Sequence, residues 1–206
     1  FGAMSKNSII VFEGIEGTGK SHHINNVANF LKKKNKKFIK IREPGGSLNS
    51  EKIRKLILNN NSKFNKYTDL LLYLSARSEN IELIKKNIRK KIILIDRFSD
   101  STIAYQHYGM GVNLKFIENI NNFLLKGIKI DFTFLSTVNQ KNMKKRLAKR
   151  NKLNRYDKFN TIFYEKVQKG FKKILNKNAK KYMLINSNLD IAHNEKIILD
   201  KINSLI

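Results

Sequence analysis

The run Gly14-Ile15-Glu16-Gly17-Thr18-Gly19-Lys20-Ser21 has the spacing G-x-x-x-x-G-K-[ST], and its fixed positions answer to the needs of a nucleotide's phosphates. Gly14, Gly17, Thr18 and Gly19 form a loop whose backbone N–H groups can converge on phosphate oxygens. Lys20 would reach the β- and γ-phosphates, and the Ser21 hydroxyl suits Mg²⁺. A glycine-rich turn without a ligand is the other reading. The flanks argue against it: Ser8-Ile9-Ile10-Val11-Phe12-Glu13 reads as a buried strand, and Ile24, Val27, Ala28 and Leu31 recur at helical spacing. The loop therefore falls at a strand-to-helix turn, where the helix dipole adds to the attraction for anions.

Two further clusters carry chemistry. Arg42-Glu43-Pro44-Gly45-Gly46 contains the chain's only proline beside two glycines, which demands a sharp turn at a strand's carboxyl end. In an open α/β sheet ligands bind at that edge, so Arg42 is aimed at the phosphate-loop side and suits a second phosphate. A surface turn with a solvated Arg–Glu pair is the alternative. Ile92-Ile93-Leu94-Ile95-Asp96-Arg97 describes a buried strand that delivers a carboxylate for Mg²⁺ at Asp96. Adjacent side chains at a strand end diverge, so Arg97 can reach a neighbouring phosphate. Here the alternative for Asp96 is a helix cap.

Elements that could position these groups follow from the alternation of short apolar runs with helical stretches, the pattern of a parallel sheet covered on both faces. Strands are expected at 8–13, 37–42, 91–96, 131–136 and 181–186. Helices are expected at 19–34, 48–59, 66–89, 99–107, 113–126, 139–149, 159–178 and 192–205. This is an α/β fold, with a five-stranded parallel sheet in three α/β/α layers. Segment 149–160, rich in Lys, Arg and Asn, reads as a mobile loop between helices.

Composition narrows the function classes. The chain has 206 residues and is 41% hydrophobic, enough for one sizeable core and short for two. Phe1-Gly2-Ala3 before Met4 reads as a cloning remnant, leaving 4–206 as one domain. With no cysteine, disulfides and thiolate-bound metals are excluded. Neither a membrane-spanning run nor a signal-peptide core is present, so a soluble, cytoplasmic protein is expected. Forty-two Lys and Arg against sixteen Asp and Glu give a net charge of +26, which would ordinarily suggest nucleic acid. The excess is mostly scattered lysine amid Asn and Ile, the mixture an AT-rich genome encodes, so no specific nucleic-acid partner is expected. A milder consequence is attraction of polyanionic nucleotides in a salt-dependent way.

Taken together, the phosphate loop, Arg42-Glu43-Pro44-Gly45-Gly46, Leu74-Ser75-Ala76-Arg77, Asp96-Arg97 and Ser101-Thr102-Ile103-Ala104-Tyr105-Gln106 resemble thymidylate kinases in order and spacing, from residue 8 to about 190. The resemblance implies a P-loop kinase fold, ATP-dependent phosphorylation of dTMP to dTDP with Mg²⁺, and a homodimer. Tyr73 and Arg77 share a helix face; by resemblance Tyr73 stacks on thymine and Arg77 hydrogen-bonds it. An amphipathic helix with a packed Tyr and a solvated Arg is what the helix alone would suggest. Ser101/Tyr105 and Thr102/Gln106 are further i,i+4 pairs. The resemblance puts Ser101 and Thr102 near the thymine edge, Tyr105 under the deoxyribose, Gln106 at the acceptor region and Glu16 near the acceptor's 3′-hydroxyl.

Transfer of a phosphoryl group needs cations more than a strong base, yet the phosphate loop holds Glu16-Gly17-Thr18 where some thymidylate kinases carry a basic residue. Positive charge must come from elsewhere. Lys149, Arg150, Lys152 and Arg155 match the family branch with a basic lid at about 149–160, and Arg150 and Arg155 are the expected transition-state cations. Arg146 and Asn186-Ser187-Asn188 are expected to flank adenine. The chain departs from the family at His22-His23 and at His107-Tyr108. Two other readings stand beside this one: a different nucleoside or nucleotide kinase, for which Arg42 and Arg97 would lack an acceptor phosphate, and an ATP-binding module associated with nucleic acid.

Overall fold

A computed structural model describes residues 8–206; residues 1–3, read above as a cloning remnant, lie outside it. Five strands, β1 (Ile9–Gly14), β2 (Phe38–Arg42), β3 (Ile92–Asp96), β4 (Phe132–Thr137) and β5 (Tyr182–Asn186), form a parallel sheet in the order β2-β3-β1-β4-β5. Each strand falls within a residue of its sequence expectation. Apolar runs without alternation suit strands buried on both faces. β1 is central, and its neighbours β3 and β4 are reached in opposite directions. A crevice therefore opens at its carboxyl end, where the phosphate loop begins.

Eight α-helices accompany the strands among the described residues: α1 (Lys20–Lys33), α2 (Leu48–Leu58), α3 (Lys66–Asn87), α4 (Ser99–Thr102), α5 (Leu114–Leu124), α6 (Gln140–Ala148), α7 (Thr161–Lys177) and α8 (Ile191–Leu205). Asn65, Asn113, Asn139 and Asn160 each accept a first-turn N–H at a helix start, so part of the abundant asparagine serves as N-caps. The sheet's two faces divide by residue parity. Ile10, Phe12, Leu94 and Phe134 pack with Ile24, Val27 and Leu31 of α1 and Ile198 and Ile202 of α8. Ile9, Val11, Ile93 and Ile95 pack with Ile81 and Ile84 of α3 and with Phe98.

The helix expected at 99–107 is corrected by the structure. Only Ser99–Thr102 is α-helical; Ile103–Gly109 continues as a π-helix, with Met110 N–H reaching the Tyr105 carbonyl five residues back at 2.9 Å. The turns across Ser101–Tyr105 and Thr102–Gln106 are therefore wider than the i,i+4 spacing of an α-helix, while all four residues still line one cavity. Such wide turns commonly accompany functional sites. The segment lies tightly on α7: a Cβ at Gly170 would come 2.4 Å from the Tyr108 ring.

Candidate active site

At the crevice the loop leaves β1 through Gly14, whose φ is 137° and where a Cβ would lie 2.3 Å from the Ser136 carbonyl oxygen of β4. Only glycine permits that exit. Gly17 and Gly19 also have positive φ, and Gly19 directly precedes α1, aiming the helix start into a cavity of about 450 Å³. Thr18 donates its hydroxyl to the Ile15 carbonyl at 2.9 Å and stiffens the loop. Lys20 is buried and arches over the loop, donating to the carbonyls of Gly14 (2.9 Å) and Ile15 (2.8 Å). Burial, with Arg97 nearby, pushes its pKa down to about 8.

Ser21 Oγ stands 3.3 Å from Asp96 Oδ2, and both line the cavity. A hydroxyl and a carboxylate are hard oxygen donors of the kind Mg²⁺ takes when substrate phosphates supply further ligands. Among the described residues no group of three or more His, Cys, Asp or Glu could hold a metal by itself. The loop glycines, Lys20, Ser21 and Asp96 thus fit a phosphate chain with its divalent cation.

Arg97 adopts φ 65°, and its guanidinium turns back across the loop. It donates to Glu16 at 2.7 Å, to the Gly14 carbonyl at 2.8 Å and to the Tyr105 hydroxyl at 3.2 Å. Tyr105 in turn donates to Glu16 at 2.5 Å. Burial opposes the charge of Glu16, but Arg97 and Lys20 outweigh it and hold the carboxyl below its usual range. Glu16 is therefore an anion near neutral pH, clamped by one cation and one phenol.

The facing wall holds the groups expected to take an acceptor. Tyr73, Arg77, Ser101, Thr102, Gln106, Glu43 and Pro44 all line the cavity. Arg77 is 1% exposed, contrary to the solvated side chain that the helix pattern alone would suggest. It donates to Glu43 (2.9 Å), Asn121 (2.7 Å) and Thr102 (2.8 Å), which fixes the plane of its guanidinium. Glu43 is likewise buried, and burial raises its pKa against the pull of Arg77. Gln106 commits its amide nitrogen to the Tyr156 hydroxyl at 3.1 Å. Arg42 sits at the rim, half-exposed, and pairs with Glu51 at 2.9 Å rather than with the adjacent Glu43.

On the donor side Arg146 lines the same cavity and bridges the Gly17 carbonyl (2.8 Å) and the Ser187 carbonyl (2.6 Å). Ser187 donates to the Thr18 carbonyl at 2.8 Å, so the 186–188 turn abuts the phosphate loop. Segment 149–160 is more firmly attached than its polarity suggests. Arg150 pairs with buried Asp157 at 2.5 Å and lines the cavity. Arg155 does not: it bonds Asp69 of α3 and the Ile57 carbonyl and lies in a second depression beside Phe64 and Phe159. Tyr156, 3% exposed, also donates to Asp69.

Sequence reasoning passed over Arg54, Asn80, Asn121, Tyr156 and Asp69. Arg54 lines the cavity and donates to the Pro44 carbonyl at 2.6 Å; Asn80 donates to the Gly45 carbonyl at 2.7 Å. Tyr156 and Asp157 are an aromatic and an acid inside a basic, polar run, and that local exception was the available signal. Asn121 and Asp69 had none, because nothing in a helix's own pattern names the partner across the core.

A nucleotide-binding loop at a topological switch point, a hydroxyl–carboxylate pair and an arginine-lined acceptor wall define the class: a P-loop phosphotransferase acting on a small substrate. Comparison with known proteins agrees. The family model described as "Thymidylate kinase" matches residues 12–198. A thymidylate kinase from Thermosipho africanus is 40% identical over 80% of this chain and 83% of its own length, and one from a Sulfurihydrogenibium species is 36% identical over 94% and 95%. The crystal structure of thymidylate kinase from Ehrlichia chaffeensis superposes with a TM-score of 0.77 at 29% identity, covering 96% of this chain and 99% of that one. The chain belongs to the thymidylate kinase family.

Proposed function

We propose that this chain transfers the γ-phosphoryl group of ATP to dTMP, producing dTDP and ADP. The observation that carries the reading is the acceptor wall, where Tyr73 and a rigidly held Arg77 stand opposite the phosphate loop in one cavity. An aromatic ring and a fixed guanidinium can stack on a pyrimidine and donate to its carbonyl. Thr102, Ser101 and Gln106 lie close by for its polar edge. Tyr105, locked to Glu16, would crowd a ribose 2′-hydroxyl and so favour the deoxy sugar, and Arg42 and Arg97 would hold the acceptor phosphate.

In the transfer an oxygen of the dTMP phosphate bonds to the γ-phosphorus as the bond from that phosphorus to the β,γ-bridging oxygen breaks. ADP leaves with the bond's electron pair. Bound Mg²⁺ would neutralise charge on the β- and γ-oxygens, held by Ser21 and Asp96. Lys20 exchanges its loop carbonyls for phosphate oxygens and supplies charge to the transferring group. Arg150 would serve as the lid cation once it leaves Asp157; its lining of the cavity supports this. Arg155 can do so only after its bonds to Asp69 and the Ile57 carbonyl are exchanged. Arg146 and the 186–188 turn would border adenine.

The homodimer typical of the family is part of the reading; exposed Leu48, Leu56, Leu71 and Phe123 on α2, α3 and α5 support it. No helix among the described residues is long and apolar enough to cross a membrane, in keeping with work in the cytoplasm. Incubation with ATP, Mg²⁺ and dTMP, with both products resolved, tests the function. Equal amounts of dTDP and ADP are expected; ADP formed without dTDP would reject it.

A further inference from the structure

Glu13 is the last residue of β1 before the loop glycine, and its side chain is fully buried. Its Oε1 accepts the backbone N–H groups of Phe98 (2.8 Å) and Ser101 (3.2 Å), and its Oε2 accepts the Ser101 hydroxyl (2.5 Å). These donors form the start of α4, where no side chain of the helix's own sequence provides a cap. A helix that begins in the interior needs partners for its first N–H groups; the Phe98 N–H finds its partner in Glu13, and the Ser101 N–H is shared between Glu13 and the Phe98 carbonyl at 3.1 Å. Here the cap comes from a neighbouring strand, 85 and 88 residues away in sequence.

The helix so capped runs without a break into the π-helical turns that carry Tyr105 and Gln106, and it includes Ser101 and Thr102. The next residue of β1 grips the other partners: the Gly14 carbonyl accepts from Lys20 at 2.9 Å and from Arg97 at 2.8 Å. Two consecutive residues therefore tie the acceptor helix and two of the cations to a single point of the sheet. We propose that Glu13 is a positioning residue, which fixes the acceptor-side helix against the phosphate loop so that acceptor oxygen and γ-phosphorus meet in line. This rests on the phosphotransfer reading above. Errors of even an ångström in such an alignment cost rate, not substrate binding alone.

The groups facing Glu13 are Asp100 of α4, Ser101, the cations Arg97 and Lys20, and Tyr182 of β5, which donates to Asp100 at 2.5 Å. Burial, and then Asp100, push the Glu13 pKa up to about 7. What the two N–H groups require is a carbonyl-type oxygen at the right reach, and that oxygen need not be charged. A neutral amide can therefore replace the carboxyl, whereas a shorter or apolar side chain cannot.

The test compares Glu13→Ala, Glu13→Asp and Glu13→Gln with the wild type. It uses kcat at saturating ATP and dTMP, ATP affinity by calorimetry, and amide exchange at Phe98 and Ser101. Glu13→Ala is expected to lower kcat at least tenfold per folded molecule, to leave ATP affinity within about threefold, and to speed exchange at the Phe98 amide and, to a lesser degree, at that of Ser101, which keeps the Phe98 carbonyl. Glu13→Asp should do the same to a lesser degree, by fivefold or more, and it decides the question if the alanine variant fails to fold. Glu13→Gln should restore kcat to within about threefold and restore slow exchange. Wild-type kcat in Glu13→Ala or, if that does not fold, in Glu13→Asp overturns the proposal, as does a Gln variant no better than Asp. A wild-type protein inactive on dTMP would instead overturn the functional reading, while the exchange data would still report on the cap.

Discussion

Arg97 and Glu16 meet at 2.7 Å across the phosphate loop, joined by the Tyr105 hydroxyl, which lies 2.5 Å from the same carboxylate. The glycine-rich loop is thereby braced to the strand end that carries Asp96 and to the helical turns that carry Tyr105 and Gln106. Anion, cation and phenol satisfy one another in a largely buried corner of the cavity, where leaving any one unpaired is costly.

Lys20 is the loop's own cation, and on the proposed reading it supplies charge to the transferring group. Lys20→Ala is expected to reduce turnover at least about a thousandfold in a folded variant. Burial lowers the Lys20 pKa to about 8, so the free enzyme loses this charge as pH rises through that value. The kcat/KM for ATP should accordingly fall above pH 8. A profile still rising from pH 8 to 9 would show that Lys20 does not carry the binding charge.

Within the lid, Arg150 faces the cavity and Arg155 faces away from it. Arg150→Ala is expected to lower kcat by roughly a hundredfold while KM for dTMP changes only a few-fold, as for an interaction made mainly in the transition state. Arg155→Ala should cost less in kcat. Steady-state kinetics of the two variants decides the order, and wild-type kcat in both would show that the segment supplies no catalytic cation.

The Arg77–Glu43 pair is buried at both ends, at 1% and 4% side-chain exposure. Removing one partner leaves the other charge uncompensated, so Glu43→Ala should destabilise the fold by about 3–5 kcal/mol in chemical denaturation. A change under about 1 kcal/mol would mean that Arg77 finds another partner or reaches water.

Stability should also depend on pH through Glu13. Its pKa rises from 4.5 unfolded to about 7 folded, so its contribution is complete below 4.5 and is lost as pH rises through 7. Wild type and Glu13→Gln should melt at similar temperatures at pH 5, with the Gln variant the more stable at pH 8. Melting curves in which the wild type gains on the variant as pH rises would contradict this.

Much of this was legible in the chain itself. Runs such as Ile92–Ile95 declared buried parallel strands, and the order of loop, Asp96 and Arg97 located the crevice, because strand ends and phosphate loops obey local rules. What escaped was whatever depends on a partner far away in sequence. Glu13 looked like the end of an apolar strand until Phe98 and Ser101 were brought to it, and Arg155 looked like a free lid cation until Asp69 of α3 claimed it. The π-helical turns at 103–109 escaped for a related reason: their register is set by packing on α7 around Gly170, which helical periodicity does not encode.

The central claim is that the acceptor is dTMP, and the most direct measurement is kcat/KM for dTMP, dUMP, CMP, GMP and AMP in one coupled ATP assay. With Tyr73 and Arg77 reading the base and Tyr105 the sugar, dTMP should exceed the three ribonucleotides by at least about a hundredfold, a floor below the roughly ten-thousandfold a site reaches when its buried polar groups go unpaired with the wrong substrate. Equal turnover of AMP or GMP would contradict the account.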